Sequence, residues 1–181
     1  MKNINIIKMV FSAIFLSLAF VLPFLTGQIP EIGSMLCPMH IPVLLCGYVC
    51  GWKWGLTIGI SAPILRSLTL GMPPIFPTAV CMAFELATYG AICAIAYKML
   101  PKKKIYTLIS LVIAMVSGRV VWGLAMLVCT NIAGTGFSLG AFITGAITNS
   151  IPAIIIQLIF IPTTIILLEK TTVFDILGDR K

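Results

Sequence analysis

Charge is what this sequence has least of. Asp and Glu together number 5 and Lys and Arg 12, so that charged residues make up 9% of the 181 positions against 60% hydrophobic. A water-soluble domain carries about a quarter of its residues as charged side chains. With that supply missing and a mean hydropathy of +1.13, most side chains here must face lipid rather than water. The apolar runs are continuous, without the alternation of a transmembrane β-barrel. Histidine occurs once, at His40, which removes any His-pair metal centre. No Gly-rich P-loop ending in Gly-Lys-Ser or Gly-Lys-Thr is present, so ATP hydrolysis by that route is excluded. No Asp falls within an apolar run, which would leave an intramembrane enzyme with Glu85 alone as its acid or base. An inverted repeat, the mark of many secondary transporters, is not visible between the two halves.

What is present is enough apolar sequence for about six spans of roughly 20 residues each. The expected spans are Ile6–Thr26, His40–Gly51, Gly55–Leu70, Thr78–Met99, Ile105–Cys129 and a last one from about Asn149 to Leu168. The last apolar stretch, Phe137–Leu168, exceeds one span and starts with a partial turn. Gly- and Pro-rich segments at Gly27–Met39 and Gly71–Pro77 read as a loop and a tight turn. Lys2 and Lys8 before the first apolar core resemble a signal peptide, but no small-residue cleavage site follows it. The first span is therefore expected to be retained. The whole chain, 1–181, reads as one transmembrane domain with a short charged tail from Glu169.

The basic residues orient it. Lys2, Lys8, Lys53, Lys98, Lys102, Lys103, Lys104, Lys170, Arg180 and Lys181 fall on one side if the helices alternate. The connections on the other side carry no Lys or Arg, which places both termini in the cytoplasm. The net charge of +7 is thus read as topology, not as affinity for nucleic acid. The expected fold is an all-α six-transmembrane-helix bundle, multi-pass in a bacterial inner membrane. Cys46, Cys50, Cys81 and Cys93 sit in apolar runs as small hydrophobes. Cys37 and Cys129 fall near one membrane face, where a disulfide between them can be considered. Small residues recur every four positions at Gly47, Gly51, Gly55 and Gly59, at Ala79, Ala83, Ala87 and Ala91, and at Ser110, Ala114 and Gly118. Such stripes let helix backbones approach closely in lipid. Ala13 and Ser17 form a further pair on the first helix that can face a partner subunit.

Each ionisable group in a span costs roughly 2.5–3.5 kcal/mol to insert and so needs a reason. Arg66, Glu85 and Arg119 lie about 7, 12 and 16 Å below the external ends of their helices at 1.5 Å per residue. They suggest a polar pocket open to the outside, with one acid facing two guanidinium groups. The competing reading is an Arg66–Glu85 or Arg119–Glu85 ion pair that only pins helices. Tyr89 stands one turn from Glu85 and Trp122 three residues from Arg119. Asn149 and Gln157 are expected on one face of the last helix with Gly145 and Ala153. His40 stands where the first external loop enters the second span. Aromatic walls with a few placed polar groups suit a small molecule. A soft-metal set of Cys37, Met39 and His40 lacks a fourth ligand, and neither metal nor cofactor is expected.

The stretches CPMHIPVLLCGYVCGWKWGL (Cys37–Leu56), PILRSLTLGMPPIFPTA (Pro63–Ala79) and MAFELATYG (Met82–Gly90) carry a resemblance. With the length, the span count and the small pair on the first helix, the chain resembles substrate-binding S components of energy-coupling factor (ECF) vitamin transporters, the riboflavin-, pantothenate- and pyridoxine-type group. The resemblance implies a non-enzymatic subunit that binds a vitamin or precursor tightly from outside. It also implies partners: a transmembrane coupling protein met by Ala13 and Ser17, and two ABC-type ATPase subunits. Substrate binding would fall to His40, Arg66, Glu85, Tyr89, Arg119, Trp122 and Asn149. The excess of Arg over Glu leans toward an acidic ligand such as pantothenate, ahead of pyridoxine or riboflavin. The alternatives are a small dimeric secondary transporter and an intramembrane enzyme.

Overall fold

The computed structural model describes residues 4–26, 33, 35–101, 104–134, 136, 138–146 and 148–177. Lys2, Lys102, Lys103, Arg180 and Lys181, which enter the charge argument, lie outside these residues, as does most of the Gly27–Met39 loop. The described residues are almost all helical. We number the α-helices α1 (Ile4–Val21), α2 (His40–Cys50), α3 (Trp52–Leu70), α4 (Val80–Met99), α5 (Lys104–Ile132), α6 (Leu139–Ala146), α7 (Ile151–Glu169) and α8 (Val173–Ile176).

Four stretches are long and apolar enough to cross a membrane: Ile4–Leu25, Ile75–Met99, Lys104–Ile132 and Phe142–Glu169. The helix α2 is apolar but has only 11 residues, and α3 has the length while Lys53 and Arg66 lower its hydropathy. The boundaries follow the residue chemistry. Gly51 (φ 95°) ends α2, and α3 starts directly at Trp52 rather than at Gly55. Gly71 (φ 70°) closes α3 in the left-handed conformation that glycine adopts without a Cβ penalty. A wide turn at Ile75–Ala79, with Phe76 extended, then leads into α4. The last apolar stretch divides as expected, into α6, a tight turn at Thr148–Ser150 and α7.

The centre of the fold is α4, which packs against α2, α3 and α5, while α1 lies on α2 and α3. Small residues make that packing close. A Cβ on Gly55 would stand 2.4 Å from the Gly90 carbonyl oxygen, one on Gly47 would meet the same oxygen at 2.4 Å, and one on Gly59 would meet the Leu86–Ala87 backbone at 2.5 Å. Backbone thus touches backbone where α2, α3 and α4 meet, the device by which helices associate in lipid. Gly51 is the exception within its stripe: a Cβ there meets nothing, and the residue serves the chain turn instead. On α1 the inward face carries Ser12 and Ala19, both buried, and Cys46 of α2 donates to the Ser12 hydroxyl at 3.6 Å. Ala13 and Ser17 are exposed on the other face.

Away from the site, Tyr48 of α2 pairs with Ser110 at 2.8 Å and packs edge-on against Tyr97 of α4, whose hydroxyl donates to Glu169 at the end of α7. In the charged tail, Phe174 and Leu177 are buried. No disulfide forms among the described cysteines, and Cys129 neighbours Cys81 across α4 and α5 instead of bridging to Cys37.

Candidate functional site

Burying a carboxylate in the most enclosed helix requires donors from its neighbours. Glu85, 2% exposed on α4, obtains them from three elements. Arg119 of α5 places Nη1 2.9 Å from Oε1, and Tyr89, one turn along α4, donates its hydroxyl to the same oxygen at 3.1 Å. His40, at the first turn of α2, brings Nε2 to 3.6 Å from Oε1, and its ring lies 5.3 Å from that of Tyr89. All three described approaches fall on Oε1.

The local sequence explains the arrangement. Gly118 removes the side chain that would block Tyr89: a Cβ there would stand 2.2 Å from the ring. The next residue, Arg119, then reaches over to Glu85. Helical spacing puts Glu85 and Tyr89 on one face of α4. His40 is held just past a chain reversal in which Cys37 takes φ 44°. Two more groups adjoin the cluster. The Cys37 thiol lies within hydrogen-bonding reach of Arg119 and of Ser150, and Ser150, buried, donates to the Gly145 carbonyl at 3.1 Å.

Three buried nitrogens in this cluster lack hydrogen-bond partners: Nδ1 and Nε2 of His40 and Nε of Arg119. Buried polar groups are nearly always satisfied, which makes these three the candidate ligand-facing atoms of the cluster.

The other anticipated residues are elsewhere. Arg66 is buried on α3, but it donates to the Phe20 carbonyl at 2.8 Å and its guanidinium stacks 5.1 Å from the Phe24 ring. Its described partners belong to the end of α1, so of the two ion pairs considered only Arg119–Glu85 forms. Trp122 stacks on Phe142 with ring centroids 6.2 Å apart, joining α5 to α6. Asn149 is exposed on the turn before α7, and its neighbour Ser150 is the residue turned inward. The buried face of α7 continues through Ala153, Gln157, Ile161 and Ile165, a stripe that Asn149 does not share. Cys37, Ser150 and Gly118 escaped the residue-by-residue reading of the site. The three-to-four spacing of Ser150 with Ala153 and Gln157 is the signal that would have found the serine.

An all-helical chain with membrane-length apolar helices is a multi-pass membrane protein, and its buried, incompletely satisfied polar cluster is the candidate site. The chain belongs to the substrate-specific components of ECF transporters, whose family model matches residues 7–167. It is accordingly a transporter subunit. No curated protein and no solved structure matches the chain.

Proposed function

We propose that this chain is the high-affinity substrate-binding subunit of an ATP-driven ECF-type importer for a water-soluble vitamin or precursor. It would lie in a bacterial inner membrane, cross it six times with both termini in the cytoplasm, and work with a transmembrane coupling protein and two ABC-type ATPase subunits. The observation that carries the binding role is the cluster of His40, Glu85, Tyr89 and Arg119, buried yet leaving three nitrogens unsatisfied. These four are the ligand-binding residues in this reading, with Trp122 and Asn149 outside the core of the site and Arg66 serving as a tie between α3 and α1. The outward, unobstructed placement of Ala13 and Ser17 supports docking of the coupling protein on α1. Their small side chains allow the close approach on which helix association in lipid depends.

The test is vitamin uptake by cells expressing this chain with and without the coupling and ATPase subunits. Uptake should require those subunits and should persist when the proton gradient is collapsed while ATP is maintained. Uptake that needs no partner and stops with the gradient would instead establish a secondary transporter. Product formation by the purified single chain would establish an enzyme.

A further inference from the structure

The site balances its own charge. Two arginines facing Glu85 would leave one positive charge for an acidic ligand, but Arg66 is committed to the Phe20 carbonyl and the Phe24 ring. Arg119 and Glu85 remain, 2.9 Å apart, each the other's counter-charge. A carboxylate entering beside Arg119 would stand next to Glu85, also nearly solvent-free, and the two like charges would share one guanidinium. Displacing Glu85 from Arg119 would leave a buried carboxylate without its counter-charge. What the cluster still offers is directional and uncharged. The Nε–H of Arg119 can only donate, the His40 ring has one donor and one acceptor nitrogen when neutral, and Glu85 Oε2 can only accept.

We propose, resting on the binding role stated above, that the ligand meets this site with an uncharged polar edge. That edge presents a hydroxyl or ring N–H to Glu85 Oε2 and a carbonyl, ring nitrogen or hydroxyl oxygen to Arg119 Nε and His40. The ligand carries no carboxylate at this point, and the Tyr89 and His40 rings, 5.3 Å apart, give the edge an aromatic border. Such a site rejects an acidic analogue by the repulsion of Glu85, whereas a site built on free arginine would select it.

The experiment is calorimetric titration of the full-length chain, stripped of bound small molecules, with four probes. Pyridoxine and riboflavin present uncharged polar edges; pantothenate and nicotinate present carboxylates. An uncharged probe should bind at least about 10-fold more tightly than either carboxylate. Glu85→Gln should weaken that probe roughly 10- to 150-fold, the loss of a hydrogen bond to a charged group. The paired variant Glu85→Gln with Arg119→Gln removes both charges together, so it keeps the charge balance should the single variant fail to fold, and it should show at least the same loss. If a carboxylate binds most tightly, or if Glu85→Gln leaves the uncharged probe unaffected, the inference is overturned while the transporter-subunit reading stands. If none of the four binds with Kd below about 1 mM, the vitamin-binding role falls and this inference with it.

Discussion

Substitution of Gly118 by Ala tests whether the site depends on the close approach of α4 and α5. The new Cβ would stand 2.2 and 2.3 Å from Cε1 and Cδ1 of Tyr89, where ordinary contact begins at 3.4 Å, so the ring must retreat by about 1 Å. Tyr89 is 1% exposed. Overfilling a tight core costs roughly 1–3 kcal/mol. A ring displaced by that amount also carries its hydroxyl out of reach of Glu85 Oε1, now 3.1 Å away, which forfeits about 1.5–3 kcal/mol for a hydrogen bond to a carboxylate. Thermal unfolding of the purified chain should therefore fall by several degrees, and ligand affinity should fall with it. The cause is isolated by repeating the substitution in a Tyr89→Ala background, where the clash is gone. Most of the stability cost should disappear there, giving a coupling well outside the roughly 0.3–0.5 kcal/mol expected of independent sites. A cost that is the same in both backgrounds would refute the proposed contact and with it this account of how Tyr89 is positioned.

Replacement of Ala13 or Ser17 by Trp should leave ligand binding intact and abolish partner-dependent uptake; loss of binding as well would place this face inside the bundle. Arg66→Gln removes the guanidinium from the Phe20 carbonyl and should lower stability by about 1.5–3 kcal/mol in thermal unfolding while changing ligand affinity less than 3-fold. A large affinity loss in the folded Arg66 variant would return that residue to the site. For topology, a cysteine-free chain carrying Ile75→Cys should react with an impermeant thiol reagent in intact cells and one carrying Lys103→Cys should not. The opposite pattern would invert the orientation.

Some of this was legible in the residues because the bilayer makes simple demands. Continuous apolar runs punctuated by Gly and Pro predict helices and their ends, and α2, α4 and α7 begin within two residues of their expected positions. The need to pair a buried charge predicts that Glu85 meets an arginine. It does not predict which arginine, because helix rotation and crossing decide that, and both are set by packing that a linear pattern does not encode. Arg66 turns toward the last turn of α1, where it donates to the Phe20 carbonyl. Trp122 was chosen for its nearness in sequence to Arg119. The two lie only about 60° apart around α5, yet the indole packs on Phe142 of α6. Asn149 and Ser150 lie together in the tight turn before α7, and of the two it is Ser150 that is buried.

The division of labour between the two buried arginines follows from what each neighbour can supply. Arg119 faces a carboxylate, and the pair puts one opposite charge against another in the enclosed centre of the fold. Arg66 faces the partial negative charge at the C-terminal end of α1 and an aromatic face, which together hold a cation without neutralising it. In the proposed reading the first arrangement orients groups for a ligand, and the second fixes the end of the helix that carries Ala13 and Ser17. Because Ser12, Ala19 and the Phe20 carbonyl all engage the bundle from one side of α1, the Ala13–Ser17 face is turned away from it. Arg66 therefore holds the C-terminal end of the helix whose exposed middle carries the small pair. Loosening α1 at Arg66 should change how that face is offered to a partner before it changes the polar cluster on α4. In the Arg66→Gln variant, uptake should accordingly decline more than ligand affinity does. Equal declines would mean that α1 and the Glu85 cluster move as one unit.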